Sequence, residues 1–246
     1  MTVSTALLKQ LNALFARSDI DCRLASSALR PLKVPDLKGI RCYTWDDGPA
    51  RVMAQTVKFS KTPEQWSADQ CPVFIFAPGC TVGFSKIVIR RPHCVCYFGA
   101  GALLRELTIR MIGQRSTLVI GRDVQTGETT FVLEENGTTI AIGDDCLFSH
   151  GIRLRTSDMH GIYDLDSGER LNPPGDIVLA RRVWVGQDVH ILKGVTIGQS
   201  SVIGASAMVT QSIPEHTLSV GVPAKVVRSR ITWSKQIVPD ASPDEE

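Results

Sequence analysis

Residues 179–214 repeat with a period of six, and this period constrains the fold more than any other feature of the chain. The hexads read LARRVW, VGQDVH, ILKGVT, IGQSSV, IGASAM and VTQSIP. A period of six matches neither the 3.6-residue turn of a helix nor the two-residue alternation of a strand. It is typical of short flat segments that are joined by tight corners and stacked into a solenoid. The first positions, which we expect to point inward, are Leu179, Val185, Ile191, Ile197, Ile203 and Val209.

The same phase continues upstream with interruptions. Earlier hexads begin at Ile120, Val132, Ile142, Phe148 and Leu154. Residues 136–139 shift the phase by four positions, and residues 94–114 look irregular. After residue 159 the hexads give way to HGIYDLDSGERLNPPG. The sequence therefore predicts a loop over residues 160–176, inserted between two coils.

The N-terminal stretch has the pattern of an amphipathic helix. Ser4 is suited to its N-cap, and Lys9, Gln10 and Asn12 interrupt the apolar run that a signal peptide would need. The residues expected on its apolar face are Leu7, Leu8, Leu11, Leu14 and Phe15.

Three regions are predicted along the 246 residues. Residues 1–71 form the helix and a capping region that covers the open edge of the first coil, because an exposed β edge invites aggregation. Residues 72–216 form the β-helix with its loop. Residues 217–246 form a short C-terminal helix and an acidic tail.

Composition excludes several classes of protein. The formal net charge of +2 leaves no electrostatic footprint for nucleic acid. Seven cysteines without paired metal-ligand spacing favour reduced thiols and a cytoplasmic location over a disulfide framework. No apolar run is long enough to span a membrane.

The hexads over residues 120–230 resemble those of the hexapeptide-repeat acyltransferases, whose fold is a left-handed parallel β-helix. The left hand is implied by the resemblance alone, since crossovers are right-handed in general. GVPAKVV, over residues 221–227, is similar to the segment that closes the helix in many of these enzymes. TSDMHGIYDLDSGERLNP, followed by VWVG, resembles the branch that O-acetylates sugars of bacterial capsular or extracellular polysaccharides.

Acetyl transfer from coenzyme A to a hydroxyl needs a base, a donor that stabilises the oxyanion, and an acid for the leaving thiolate. Histidine can perform both proton transfers near neutral pH. His160 opens the predicted loop, and the resemblance implies that the histidine of this segment is the base. Asp158, Asp164 or a backbone carbonyl could orient its ring. The other histidines are His150, His190, His93 and His216, of which the first two could line the same groove and the last two are interpreted as structural.

The resemblance also implies the substrates and the assembly. It implies acetyl-CoA as co-substrate, direct transfer without an acetyl-enzyme, no required metal, and a homotrimer with coenzyme A between neighbouring subunits. Trp184 would line the acceptor or cofactor tunnel. The other implied binding residues are Gly186, Gly204 and Ala205 for the pantetheine arm, with an amide at Gly186 able to reach the thioester oxygen, and Lys225 and Arg228 for the phosphates.

Three alternatives to a sugar O-acetyltransferase remain at this point. The first is an N-acetyltransferase that acts on a nucleotide-linked amino sugar, which would use the same histidine. The second is a zinc hydratase of the carbonic anhydrase type, which needs three histidine ligands. The third is a structural subunit without activity. The histidine-bearing loop between intact coils favours the acetyltransferases over the last two.

Overall fold

The structure, a computed structural model, describes residues 3–25, 29–45, 50–59 and 66–236. Its body is a column of parallel β-coils with three flat sides, here called faces A, B and C. One helix is found in the described part of the chain, α1 (Thr5–Arg17), and a short strand, β1 (Arg30–Pro31), lies antiparallel to the next strand. No helix in these ranges has the length and apolarity needed to cross a membrane.

Successive coils place one strand on each face in turn. Face A contains β2 (Arg41–Thr44), β5 (Val73–Phe76), β7 (Val95–Phe98), β9 (Thr117–Ile120), β12 (Thr139–Ile142), β15 (Ile177–Leu179) and β18 (Thr196–Ile197). Face B contains β3 (Arg51–Ala54), the first halves of β6 (Thr81–Ile89) and β8 (Leu103–Met111), then β10 (Gln125–Thr126), β13 (Leu147–Phe148), β16 (Trp184–Val185), β19 (Val202–Ile203) and β21 (Thr217–Val220). Face C contains β4 (Val57–Phe59), the second halves of β6 and β8, then β11 (Thr129–Leu133), β14 (Ile152–Arg155), β17 (His190–Ile191) and β20 (Met208–Val209).

The coils have two lengths. In the upper part of the column, Trp184 pairs with Val202 and His190 pairs with Met208, a step of 18 residues or three hexads. In the lower part the step is 22 residues, as the pairs Val73–Val95, Val95–Thr117 and Thr117–Thr139 show. The interpretation of residues 94–114 as irregular is therefore wrong. They form a regular coil whose four additional residues hide the six-residue phase. The phase shift at residues 136–139 has the same cause, because the step from Thr117 to Thr139 is also 22 residues.

Inward side chains form the main core. All six first positions of the clean hexads are fully buried, as predicted. The longer lower coils enclose more space, and aromatic rings fill it. The rings of Phe76 and Phe98 stack with centroids 5.0 Å apart, and Phe74 and Phe84 pack against Phe98.

Helix α1 lies against the outside of face A and not over the open end of the column. Its buried residues Leu8, Leu11 and Phe15 form a second core with the outward side chains of face A, and the Phe15 ring lies 4.6 Å from that of Tyr97. The helix and its cap are otherwise as predicted, since the Leu7 amide donates to the Ser4 hydroxyl oxygen at 3.3 Å.

The first coil also begins earlier than the predicted boundary at residue 72. Strand β2 pairs in parallel with β5, and β3 and β4 pair in parallel with β6. The coils therefore start at Arg41, and β1 covers the free edge of β2. Edge protection is thus achieved by an added strand.

The predicted C-terminal helix is wrong. Residues 225–229 form β22 (Lys225–Ser229), which is antiparallel to β21 and closes the last open edge of face B. Gly221 occupies the left-handed region with φ of 95°, which permits the turn, and two consecutive valines at 226 and 227 favour a strand over a helix. The predicted acidic tail lies mostly in residues 237–246, outside the described residues.

Candidate active site

The inserted loop leaves the column at the corner between faces C and A, here called the C–A corner. Strand β14 ends at Arg155 and β15 begins at Ile177, so the loop comprises residues 156–176. The preceding coils are also longer around this corner, because face-C and face-A strands such as β11 and β12 have four or five residues whereas β17 and β18 have two. The loop is therefore an extension of a corner that is already widened in the coils below it.

Two ion pairs attach this region to the coil beneath. Arg155 donates to the Glu134 carboxylate at 2.6 and 3.2 Å, and Arg170 donates to both oxygens of Glu135 at 2.7 and 2.8 Å. The Ser157 hydroxyl also donates to Glu135. The bidentate Arg170 contact lowers the pKa of the Glu135 carboxyl from 4.5 to about 2.

Asn172 joins the two ends of the loop. It is only 8% exposed. Its amide nitrogen donates to the carbonyl oxygen of His160 and to the Asp158 carboxylate, both at 2.9 Å, and its oxygen accepts from the Ile162 amide at 2.7 Å. The Arg170 Nε also donates to this oxygen at 3.4 Å, and a buried amide with four hydrogen bonds fixes the backbone on both sides of His160. Sequence reasoning missed this residue, because an asparagine before two prolines is the ordinary composition of a loop.

The prediction that Asp158 orients the His160 ring is not supported by the geometry. The Asp158 carboxylate contacts the Lys193 ammonium group and the Asn172 amide, and Lys193 lowers the pKa of Asp158. Its link to His160 is through the backbone, where the His160 amide donates to the Asp158 carbonyl at 2.8 Å. Among the described residues, no hydrogen bond joins the carboxylate to the His160 ring. Attraction to Lys193 on the neighbouring coil accounts for this orientation.

The second aspartate candidate, Asp164, serves the loop itself. Its carboxylate accepts from the amides of Asp166 and Ser167 at 3.0 and 2.8 Å, which forms a turn near the tip. His160 lies exposed at the base of the loop, and at the tip Leu165 is 99% exposed between Asp164 and Asp166.

The remaining histidines occupy other positions on the column. His190 is half-buried on face C, in register with Arg153. His150 is exposed at the corner between faces B and C, next to Gly127. His216 lies beside Ile231, whose carbonyl oxygen is 3.3 Å from its Nδ1 atom, and His93 lies in a corner with φ of 60°.

Trp184 stands on face B, not beside the loop. Its ring is 39% exposed and lies 5.9 Å from that of Trp233. Trp233 is fixed in turn, since its indole nitrogen donates to the Arg182 carbonyl at 2.7 Å. The C-terminal segment thus returns to support the exposed face of β16.

The predicted pantetheine positions stack at the corner between faces B and C, here called the B–C corner. The Gly186 amide donates to the Ile203 carbonyl and the Gly204 amide donates to the Ser219 carbonyl, both at 2.8 Å. These two amides serve coil stacking, so the expected role of the Gly186 amide at the thioester oxygen conflicts with the structure. Ala205 is exposed, and within the described part of the chain its amide has no hydrogen-bond partner.

Lys225 and Arg228 are exposed on β22. A register shift between β21 and β22 pairs Lys225 with Val220 and Arg228 with Leu218. Because Val220 and Leu218 are two residues apart on one strand, the bulge places both cations on the same side of the hairpin.

The predicted site residues therefore form two groups within one chain. His160, Asp158 and the loop lie at the C–A corner, whereas Trp184, the glycines, Ala205 and the two cations lie along face B and the B–C corner. These two corners are separated by one side of a coil, roughly 15 Å. The described residues contain no cluster of three or more His, Cys, Asp or Glu side chains that could hold a metal ion.

The ion pairs of the loop predict a dependence of stability on pH. The pKa of Glu135 in the folded chain lies below its ordinary value, so its ionised form stabilises the fold fully above pH about 4.5, and this contribution is lost as the pH falls to about 2. We expect Glu135→Gln to lower the melting temperature at pH 7, with a difference from the original chain that disappears by about pH 2. Calorimetry over this pH range measures it. Glu169→Gln, an exposed loop position, is the control, and a difference independent of pH would contradict the assignment.

No protein-family model matches this chain, but curated relatives do. The polysialic acid O-acetyltransferase of Neisseria meningitidis is 32% identical over 163 residues, which are 57% of this chain and 75% of that protein. The polysialic acid O-acetyltransferase of Escherichia coli O1:K1 is 37% identical over 125 residues, 51% of this chain, and the chain spans only 38% of that relative. The galactoside O-acetyltransferase of Escherichia coli K12 is 34% identical over 114 residues, 46% of this chain and 54% of that protein.

Solved structures share the fold. The polySia-specific acetyltransferase NeuO superposes with a TM-score of 0.67 at 24% identity over 82% of both chains. The polysialic acid O-acetyltransferase OatWY superposes with a TM-score of 0.51 at 24% identity, over 77% of this chain and 94% of its own. The predicted fold class, a mainly β protein with a parallel β-helix of hexapeptide repeats, is confirmed by the stacked parallel coils and these likenesses. With the hexads, the coils and the Neisseria meningitidis relative together, the chain belongs to the hexapeptide-repeat acetyltransferases, a family of acyltransferases.

Proposed function

We propose that this protein is an acetyl-CoA-dependent O-acetyltransferase that acts on a sugar hydroxyl of a bacterial capsular or extracellular polysaccharide. The observation that carries the proposal is an exposed histidine, His160, whose backbone is fixed by the buried Asn172 at the base of an inserted loop. The relatives named above are O-acetyltransferases of polysialic acid and galactosides, which favours a hydroxyl acceptor over the amine of a nucleotide-linked sugar. Incubation with acetyl-CoA and a panel of bacterial polysaccharides, followed by detection of O-acetyl esters by NMR, tests it.

In the proposed reaction His160 transfers one proton twice. Its ring takes the proton of the acceptor hydroxyl while the hydroxyl oxygen forms a bond to the thioester carbonyl carbon. When the tetrahedral intermediate collapses, the carbon–sulfur bond breaks and the imidazolium returns the proton to the thiolate of coenzyme A. The acetyl ester and free coenzyme A are the products, and the histidine ends in its starting state.

Burial of five of the seven cysteines supports direct transfer. Burial raises the pKa of the Cys42, Cys80, Cys94 and Cys146 thiols to about 12, and that of Cys96 well above its ordinary value. The thiolate is the nucleophilic form, so these side chains are poor candidates for an acetyl-enzyme. The proposal therefore assigns no covalent role to these five cysteines.

The coenzyme A phosphates are proposed to contact Lys225 and Arg228. Their common side on the hairpin supports this assignment, because two adjacent cations suit a diphosphate. For the pantetheine arm, the exposed Ala205 amide is the better donor at this corner, since the amides of Gly186 and Gly204 are occupied by coil stacking. The glycines would then contribute close approach of the backbone.

The separation of the site residues supports a homotrimer. His160 lies at one corner of the column and Trp184 and the proposed coenzyme A groups lie along another side. Packing of the C–A corner of one subunit beside face B of a neighbour would complete each site. The loop also carries exposed apolar side chains suited to such a contact, namely Ile162, Tyr163, Leu165 and Leu171.

The first prediction for this function concerns His160. We expect His160→Ala to lower kcat by roughly a hundredfold or more, because the proton transfers lose their general base, while acetyl-CoA still binds. Steady-state kinetics and equilibrium binding of acetyl-CoA measure the two effects. His190→Ala is the matched control and should be milder. Near-normal transfer by His160→Ala, with loss in His150→Ala or His190→Ala, would place the base on another coil.

The next prediction concerns the cofactor. Replacement of both Lys225 and Arg228 by glutamine should raise the KM for acetyl-CoA, by about tenfold, more than it lowers kcat, because phosphate contacts persist unchanged through the reaction. Arg181→Gln, an exposed cation elsewhere on the column, should leave this KM unchanged. If the double variant keeps the original KM, the phosphates bind at another place.

A further prediction concerns the oligomeric state of the protein. We expect a trimer at micromolar concentration by light scattering, and we expect Leu165→Glu in the loop tip to weaken it, because a charge would enter an apolar contact. Lys86→Glu, far from the loop on face C, should leave the trimer intact. A monomeric but active original chain would contradict a site shared between subunits.

A further inference from the structure

Face C carries a column of basic side chains on its outer surface. Lys86 lies in register with Thr108, Thr108 with Thr130, Thr130 with Arg153, and Arg153 with His190. The neighbouring inward residues of these strands are buried in the main core, so the column faces outward. These outward side chains run along the stack of coils up to the level of the loop.

A second outward column runs beside the first. Lys58 lies in register with Val88, Val88 with Arg110, Arg110 with Val132, and Val132 with Arg155. Together the two columns place a cation on most coils of face C. Adjacent parallel strands are about 4.8 Å apart, so the five steps from β4 to β17 span about 24 Å.

Most of this charge is not neutralised. Arg155 is paired with Glu134. In contrast, no carboxylate in the described ranges lies within ion-pair distance of Lys58, Lys86, Arg110 or Arg153. We call these four residues the face-C track. The other faces differ in character, because α1 covers the outer surface of face A, and face B presents apolar residues such as Leu103, Leu147 and Trp184 along its outward column.

The edges of face C direct a ligand towards the loop. Glu106 and Glu128 are exposed near the B–C edge and repel an anion there. At the C–A edge, Glu134 and Glu135 are already neutralised by arginines. A shallow cavity of about 670 Å³ opens at that edge, with Arg90 and Arg91 in its lining.

We propose that the face-C track binds an anionic polysaccharide and holds it along the column so that its hydroxyls reach His160. The proposal rests on the proposed function and narrows its acceptor to a polymer with a carboxylate or phosphate on its repeating sugars. Each exposed cation contributes little by itself, but a polymer contacts several at once, so the contributions combine. A single neutral sugar would gain nothing from the track.

Binding measured without acetyl-CoA tests the track independently of transfer. The probes are fluorescently labelled polysialic acid, labelled polygalacturonic acid and labelled neutral dextran, followed by fluorescence anisotropy at low and high salt. The variant is Lys86→Glu with Arg110→Glu. The matched control is Arg51→Glu with Arg105→Glu, which makes the same change of charge at two exposed positions on face B. Equal melting temperatures establish that both variants fold.

We expect the track variant to raise the Kd for at least one of the two anionic polymers by about tenfold or more at low salt and by less at high salt. The control should change it by less than about twofold, and dextran should not bind. Equal weakening in both variants, an unchanged Kd in the track variant, or no binding of either anionic polymer to the original chain would overturn the proposal. A duplex DNA that bound as tightly, with the same loss in the track variant, would also overturn it. Failure of the original chain to acetylate any polysaccharide would reject the proposed function, whereas the binding result would stand.

Discussion

The structure depends on the parallel stacking of one coil on the next. Each coil donates its backbone amides to the carbonyls of its neighbour, and each contributes inward aliphatic side chains to a continuous core. Stacking therefore occupies the backbone groups even at positions such as Gly186 and Gly204, which a sequence motif would assign to a ligand. Side chains that point outward and segments that leave the column remain available for chemistry. The inserted loop and the outward columns are both of this kind.

At the C–A corner, the segment that leaves the column is the inserted loop, which carries the candidate site. The coils from Val73 to Thr139 each have 22 residues, four more than the coils above the loop, so the column below the loop is broader than the column above it. The broad part supplies Glu134 and Glu135, and the narrow part supplies Lys193, and the loop is held by both. A loop attached to two coils of different size is fixed more firmly than one attached at a single level. His160 is therefore presented by a rigid support although it is itself exposed.

Much of this arrangement could be predicted from the sequence, and the failures have physical reasons. The clean hexads over 179–214 determine the ladder directly, because each inward position must be apolar. The 22-residue coils were missed since their period is not a multiple of six, although their strands are just as regular. The hairpin at Lys225–Ser229 was mistaken for a helix because lysine, arginine and alanine also suit helices, and only pairing with β21 decides between them. Partners distant along the chain, such as Asp158 with Lys193, cannot be read from local spacing.

Asn172 shows why a proposed acid–base residue, here His160, must be distinguished from the residues that support it. Proximity in sequence suggested that Asp158 acts on the His160 ring, yet its carboxylate is held by Lys193 and by the Asn172 amide. The same Asn172 amide bonds the His160 carbonyl, so one buried side chain fixes both residues through groups other than the imidazole. The backbone of His160 is thereby restrained, and within the described part of the chain no hydrogen bond occupies its ring. For the proposed chemistry one unprotonated ring nitrogen is enough, because the same nitrogen takes the proton of the acceptor and returns it to the leaving thiolate.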